Sequence, residues 1–425
     1  MALPQSLSGV LYRVGPGRSE RGGVKYAHIL DGDGRVDRIQ ISNGRVEVLS
    51  RFVETPEYVR EEAANQILHR RAFGTGSHLS LSTLKNEANT ALVHHGGELL
   101  ALWEGAHAST LDPDTLAYKG PHTLGGAARV APAFSMHHSV DHVLGIGGDA
   151  VCAHSHVDPC SGRRVMLLSR FSVGHTILRF VEFAPDSFDV HSERTHTVRG
   201  FTYVHDFVVT PTSYVFFEPP LAFDALAFRR GASALDCVAQ PGETARLVQL
   251  PRVGGGDARI THTPRWFATH LINAFEQGSE GLVVDTFGFP GFGAHISTSS
   301  PVRFVLDKGT CLSAGPIDSR LSEFPALPAS SHGRSYKDAY YASSVRTSMD
   351  SVACLDGQLG TRRYSTVLGG VHLEPVIADE FLLVILTLDG AQWLRVLETP
   401  SLREVCRMPL EGANPTGLHG LWVSL

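Results

Sequence analysis

Short stretches in which apolar and polar residues alternate recur along the whole chain, and tight-turn residues separate them. Arg38 to Ile41, Arg45 to Leu49, Glu98 to Trp103, Tyr214 to Phe217, Leu282 to Phe287 and Phe381 to Leu386 all have this character. A period of two sends successive side chains to opposite faces of a strand, so these runs predict strands with one face buried. Asn43-Gly44, Asp356-Gly357, Asp389-Gly390 and Asp31-Gly32-Asp33-Gly34 are turn sequences, and Asp389-Gly390 sits between two apolar runs as a hairpin turn should. The 43 glycines and 23 prolines suit a chain with many such corners.

One helix is predicted, Pro56 to Leu68, with a loose apolar stripe of Tyr58, Ala63, Ala64, Ile67 and Leu68. Many strands, few helices and no Pro/Ser-rich linker predict an all-β fold in a single domain spanning 1-425. A β-propeller suits this pattern because its blades are four-stranded sheets. A sandwich with added strands is the other candidate, since no blade-length repeat is visible in the residues.

Hydrophobic residues make up 43% of the chain and charged ones 19%, enough apolar material for a large core. A net charge of -6 with no run of Lys or Arg speaks against a nucleic-acid partner. The opening MALPQSLSGVLYRVGPG has no basic flank followed by an apolar stretch, and no segment is apolar for the roughly 18 residues a membrane helix needs. A cytoplasmic protein is expected. Cys152, Cys160, Cys237, Cys311, Cys354 and Cys406 are scattered without a C-x-x-C pair, so free thiols are expected too.

Twenty-two histidines are present, and the ordinary role of any one is structural. Four stand in distinctive settings: Ala153-His154-Ser155-His156-Val157-Asp158-Pro159, Val204-His205-Asp206-Phe207, Thr269-His270-Leu271 and Gly417-Leu418-His419-Gly420. Residues so far apart meet only if the chain keeps returning to one axis, as the inner strands of a propeller do. Imidazole suits iron, zinc, copper and nickel. Four neutral ligands on iron(II) leave two octahedral positions open, whereas a structural zinc would be closed by four. A metal-bound histidine usually donates its other ring N–H to a carboxylate. Glu104, Glu323 and Glu374, in apolar or Pro/Gly-marked surroundings, are candidates, although each taken alone reads as a surface carboxylate.

Taken in order, several segments resemble the carotenoid cleavage oxygenase family. They are Tyr12-Arg13-Val14-Gly15-Pro16-Gly17, Tyr26-Ala27-His28, Asp31-Gly32-Asp33-Gly34, Lys85-Asn86-Glu87-Ala88-Asn89-Thr90, Leu102-Trp103-Glu104-Gly105, Ala153-His154 through Asp158-Pro159, His205-Asp206-Phe207 and the closing Gly417-Leu418-His419-Gly420. The resemblance covers nearly the whole chain. It implies a seven-bladed propeller, with short helices and loops capping the face that carries Fe(2+). It also implies metal ligation by His154, His205, His270 and His419, with Glu104 supporting His205, Glu323 supporting His270 and Glu374 supporting His419. The implied reaction splits a C=C bond of a polyene with O2 into two carbonyl products.

There are departures. His156 stands where relatives more often carry a residue such as Lys, and His137-His138 lie upstream; either could compete with His154. The stretch after Glu374-Pro375 is shorter than in relatives. A carotenoid or apocarotenoid is the expected substrate. A stilbene or other phenylpropanoid alkene is the alternative, disfavoured because Trp103 stands where a Lys would suit a phenol, and a polyene isomerase or binding propeller is a third reading. Among the aromatic residues Trp103, Trp266, Phe134, Phe275 and Phe324, the tunnel is expected to use Trp103, Phe275 and Phe324. Residues 219-230 resemble a lipid-facing patch, where Phe223, Leu226 and Phe228 would either dock on a membrane with Arg229 and Arg230 at the head groups, or face the core or tunnel.

Overall fold

Hairpin pairing of neighbouring runs builds seven sheets of four or five strands, arranged as a seven-bladed β-propeller. The computed structural model describes residues 3–76, 84–131, 148–172, 174–292, 299–344 and 348–425. From axis to rim, blade 1 consists of His419–Ser424, Gly9–Pro16, Gly34–Ser42 and Arg45–Phe52. Blade 2 begins at the axis with Ala91–His95, blade 3 with Ala150–Val157, blade 4 with Val208–Val209, blade 5 with Phe267–Gln277 and blade 6 with Ser322–Ala326. Blade 7 begins with Val371–His372 and Val376–Ala378, both paired to Phe381–Leu388. The last strand of the chain closes the ring: it pairs antiparallel with Gly9–Pro16, placing His419 opposite Val14.

Five of the six alternating runs fall within strands, and the sixth, Glu98 to Trp103, overruns its strand Glu98–Leu102 by one residue. Alternation is clearest at the rim, where Arg45–Phe52 has one face toward solvent. Strands in the middle of a blade, such as Gly281–Phe289, are buried on both faces because a neighbouring blade covers each side. Every blade interface has its own apolar cluster. Leu11, Ile39, Leu383 and Ile385 join blades 7 and 1, and Phe180, Tyr214 and Phe216 stack between blades 3 and 4. Asn43-Gly44 and Asp389-Gly390 take positive φ at both residues, as a two-residue hairpin turn of type I′ requires. Asp356-Gly357 instead opens a longer loop, in which Asp356 Oδ1 accepts from the N–H groups of Gln358 and Leu359.

The predicted helix is shorter than its pattern. It spans Pro56–Ala64, capped by the Thr55 hydroxyl at its start and ended by Asn65 in the left-handed region. Its expected apolar stripe does not hold it down, since Ala63, Ala64 and Leu68 are exposed while Tyr58 and Glu61 are buried. Glu61 provides the anchor. Its carboxylate joins a buried ion cluster with Arg71 and Lys85, each 2.7 Å away, and Asp33 completes the cluster with Arg21 at 2.7 Å and Arg71 at 3.1 Å. The Asp31-Gly32-Asp33-Gly34 stretch therefore supplies buried acids as well as a turn. All six cysteines are free thiols, four of them buried. Among the described residues, no helix is long and apolar enough to cross a membrane.

Candidate metal centre

Each of the seven blades delivers one side chain to a single point near the axis. Blades 1, 3 and 5 supply His419, His154 and His270 from their inner strands, and blade 4 supplies His205 from the segment just before its inner strand. Blade 2 supplies Glu104, blade 6 Glu323 and blade 7 Glu374, each beside one histidine. The ligand atoms of the four histidines lie within 4.8 Å of one another. His154 Nε2 is 3.3 Å from His205 Nε2, and His270 Nε2 is 3.4 Å from His419 Nε2.

Local backbone irregularity aims these groups. The pairing of blade 5 slips between Ala268 and His270, that of blade 3 between Val151 and Ser155, and that of blade 6 between Glu323 and Ala326. A bulge of this kind breaks strict alternation and turns a side chain toward a site that regular pleating would miss. Phe324, next to Glu323, holds φ at 63°, an uncommon conformation for a bulky residue. Its ring stands 5.7 Å from the rings of both His270 and His419.

The carboxylates fix the ring nitrogens. Glu323 Oε2 accepts from His270 Nδ1 at 2.6 Å, and Glu374 Oε1 accepts from His419 Nδ1 at 2.8 Å while its other oxygen accepts from the Gly420 N–H at 2.7 Å. Glu104 Oε1 lies 2.5 Å from His205 Nδ1. Burial alone would push Glu323 up, but His270 and the hydroxyls of Thr269 and Ser299 hold it below its ordinary value. Glu104 is likewise held down by His205 against its own burial. Burial drives His154 well below the usual histidine range, and the other three histidines add to this, so its ring is neutral.

These residues suit a cation. Nδ1 of His205, His270 and His419 each lies beside a carboxylate, which leaves Nε2 of each ring for a ligand, and these nitrogens face into the cluster. Ring nitrogens 3.3–3.4 Å apart repel when both are unprotonated, and three neighbouring carboxylates add negative charge. A divalent ion among the four nitrogens relieves both, and an all-imidazole donor set selects a transition metal over calcium or magnesium.

The competing histidines are placed differently. His156 donates from Nε2 to Asp206 Oδ1 at 3.0 Å, and the other Asp206 oxygen accepts from the Leu271 N–H at 2.7 Å. His156 thus braces the chain between His205 and His270 and does not join the four. His137-His138 and Phe134 lie outside the described residues.

An apolar cavity of about 350 Å³ ends on His205, His270 and His419. Trp103 and Phe324 line it; Phe275 does not, and packs instead beside Tyr336 between blades 5 and 6. Trp266 is in the interface of blades 4 and 5 against Phe304. Sequence reading missed the wall formed by Phe201 and Tyr203, although Phe201, Tyr203 and His205 follow the period of two that puts all three on one face. Tyr203 also brings its hydroxyl to 3.3 Å from His205 Nδ1. Phe267 and Phe292 complete the aromatic wall. Of the two readings of the 219-230 stretch, the inward one holds for two residues: Phe223 lines the cavity and Phe228 is buried beneath Arg70, which leaves Leu226 exposed.

The family model described as retinal pigment epithelial membrane protein matches residues 2–424. The chain belongs to the carotenoid cleavage oxygenase family. Among curated members of the family, the apocarotenoid-15,15′-oxygenase of Synechocystis is 30% identical over 85% of this chain and 76% of its own length. The chloroplastic carotenoid cleavage dioxygenase 7 of rice is 27% identical over 65% of this chain, an overlap that spans about half, 53%, of the rice protein. A crystal structure of cobalt-substituted Synechocystis ACO covers the whole chain with a TM-score of 0.89 at 26% identity. This member of the carotenoid cleavage oxygenases is accordingly an oxygenase, and its four-histidine cluster stands on the axis of the family's propeller.

Proposed function

We propose that His154, His205, His270 and His419 hold iron(II), and that the chain cleaves a C=C bond of a carotenoid or apocarotenoid with dioxygen to give two carbonyl products. The observation that carries this reading is the cavity: an aromatic, apolar pocket that terminates on three of the four histidines and, among the described residues, has no lysine or arginine in its wall. Such a lining strips water from a polyene and offers no cation to hold a phenolate, which favours the polyene over a stilbene. Bound iron(II) would supply the redox chemistry with dioxygen.

The protein's own groups do the rest. Glu104, Glu323 and Glu374 hold three imidazoles in the tautomer and direction that keep Nε2 free. Phe324 and Trp103 confine the alkene beside those nitrogens. Phe201, Phe223 and Phe267 extend the apolar path outward and set how far a chain can enter.

The test is turnover of the iron-reconstituted protein under ¹⁸O₂ with a panel of carotenoids, apocarotenals and hydroxystilbenes, read by mass spectrometry. Paired carbonyl fragments from a polyene, with label incorporated, are expected. Cleavage of the stilbenes alone would overturn the substrate, and a rearranged polyene without label would overturn oxidative cleavage.

A further inference from the structure

A second cavity, of about 360 Å³, lies among the inner strands of blades 1, 2 and 3. It shares only His419 with the apolar cavity, and it reaches His154 and Glu374 at its inner end. Its wall includes His94, Ser155 and Arg164 together with residues 91–93 and 420–423.

Arg164 is the unusual member. Its guanidinium donates to Ser155 Oγ at 2.9 Å and to the carbonyl of His94 at a long 3.4 Å, while its buried Nε has no acceptor. Among the described residues no carboxylate lies within ion-pair distance of it. Most other inward-facing arginines here are paired: Arg71 and Arg252 each meet two acids and Arg21 meets three. Burial with no acid to offset it lowers Arg164 to about 10, and both burial and the Arg164 charge lower His94. Glu374, the one acid among the described residues of the cavity wall, is already committed to His419 and to the Gly420 N–H. A half-buried cation facing a polar space without a counter-charge is a costly arrangement unless something negative enters.

We propose that this cavity is an anion site, in which Arg164 takes a small oxyanion of the carboxylate or phosphate class. The planar fork of the guanidinium matches two oxygens of such an ion, and the neighbouring His94 and Ser155 offer further polar contacts. The site is separate from the polyene path and does not depend on what the polyene is.

Thermal unfolding of the metal-loaded full chain tests it, in a buffer free of small oxyanions, with sodium acetate, sodium phosphate or ionic-strength-matched sodium chloride added. The wild-type Tm is expected to rise saturably with acetate or phosphate and not with chloride, and the ion that acts at lower concentration identifies the class. A half-buried charge without an acid beside it costs folding free energy, so Arg164→Met should begin at a Tm no lower than wild type and lose the response, with affinity down at least about tenfold. Should that variant fail to fold, Arg164→Lys keeps the charge but lacks the fork, and a several-fold weaker response is expected. Absence of a saturable rise in the wild type, an equal rise in Arg164→Met, or unchanged affinity in Arg164→Lys overturns the proposal.

Discussion

Glu323 accepts a 2.6 Å hydrogen bond from Nδ1 of His270, and Thr269 and Ser299 hold the other carboxylate oxygen in place. A carboxylate there fixes the ring and raises its basicity, and removing that charge from a metal-bound histidine typically costs about 10–100-fold in metal affinity or activity. Glu323→Gln keeps an acceptor oxygen but loses the charge. The expected result is a folded protein that takes up iron with activity lowered by at least about tenfold. Wild-type turnover at equal iron content would show that Glu323 has no such role.

His205→Ala removes one of the four converging nitrogens and leaves Glu104 without its imidazole. Metal content after anaerobic reconstitution should fall to a small fraction of the wild-type value, and activity should fall with it. Full metal content in this variant would remove His205 from the ligand set.

How much of this was legible beforehand differs from group to group. The four histidines and three glutamates were singled out by their local settings, but their roles as ligands and supports came only from the resemblance, because no spacing rule connects His154 with His419 across 265 residues of chain. The strands were legible wherever one face meets solvent, as in Arg45–Phe52, and the two-residue turns gave Asn43-Gly44 and Asp389-Gly390 away. The seven-fold repeat was not, because each blade needs only apolar volume against its neighbours and many side-chain sets provide it. Inner strands as short as Val208–Val209 carry no periodicity at all. The bulge at Ala268 and His270 hides which side chains share a face, whereas the regular alternation of Phe201, Tyr203 and His205 held the cavity wall in plain view. Glu61 shows the opposite failure: a helix was expected to bury its alanines, and it buries a carboxylate because Arg71 and Lys85 wait beneath it.

That ion cluster gives a stability prediction. Lys85 Nζ is 2.7 Å from Glu61 Oε2 and also pairs with Asp33, with all three side chains essentially inaccessible. Cutting one partner from a buried network leaves an uncompensated charge, at a cost of roughly 3–5 kcal/mol. Lys85→Met should therefore lower the urea midpoint markedly and loosen the helix Pro56–Ala64. An unfolding free energy within about 0.5 kcal/mol of wild type would mean the cluster tolerates the loss.

A pH dependence follows from His372, which is buried in blade 7. Its Nε2 accepts from Arg395 Nη1 at 2.6 Å, and its Nδ1–H donates to the carbonyl of Met349 at 3.0 Å. Burial first, and the Arg395 charge second, lower its pKa from 6.5 to about 4. The unfolded chain therefore binds the proton before the folded one does, so stability is full above about pH 6.5, declines as pH falls toward about 4 and then levels off. At 1.36 kcal/mol per pH unit, the contribution lost between pH 7 and pH 5 is about 2 kcal/mol as an order of magnitude. His372→Gln retains an oxygen for Arg395 and has nothing to titrate. Its loss of urea stability between these two pH values should be smaller than that of the wild type by that amount, and identical losses in the two proteins would show that His372 does not set the slope.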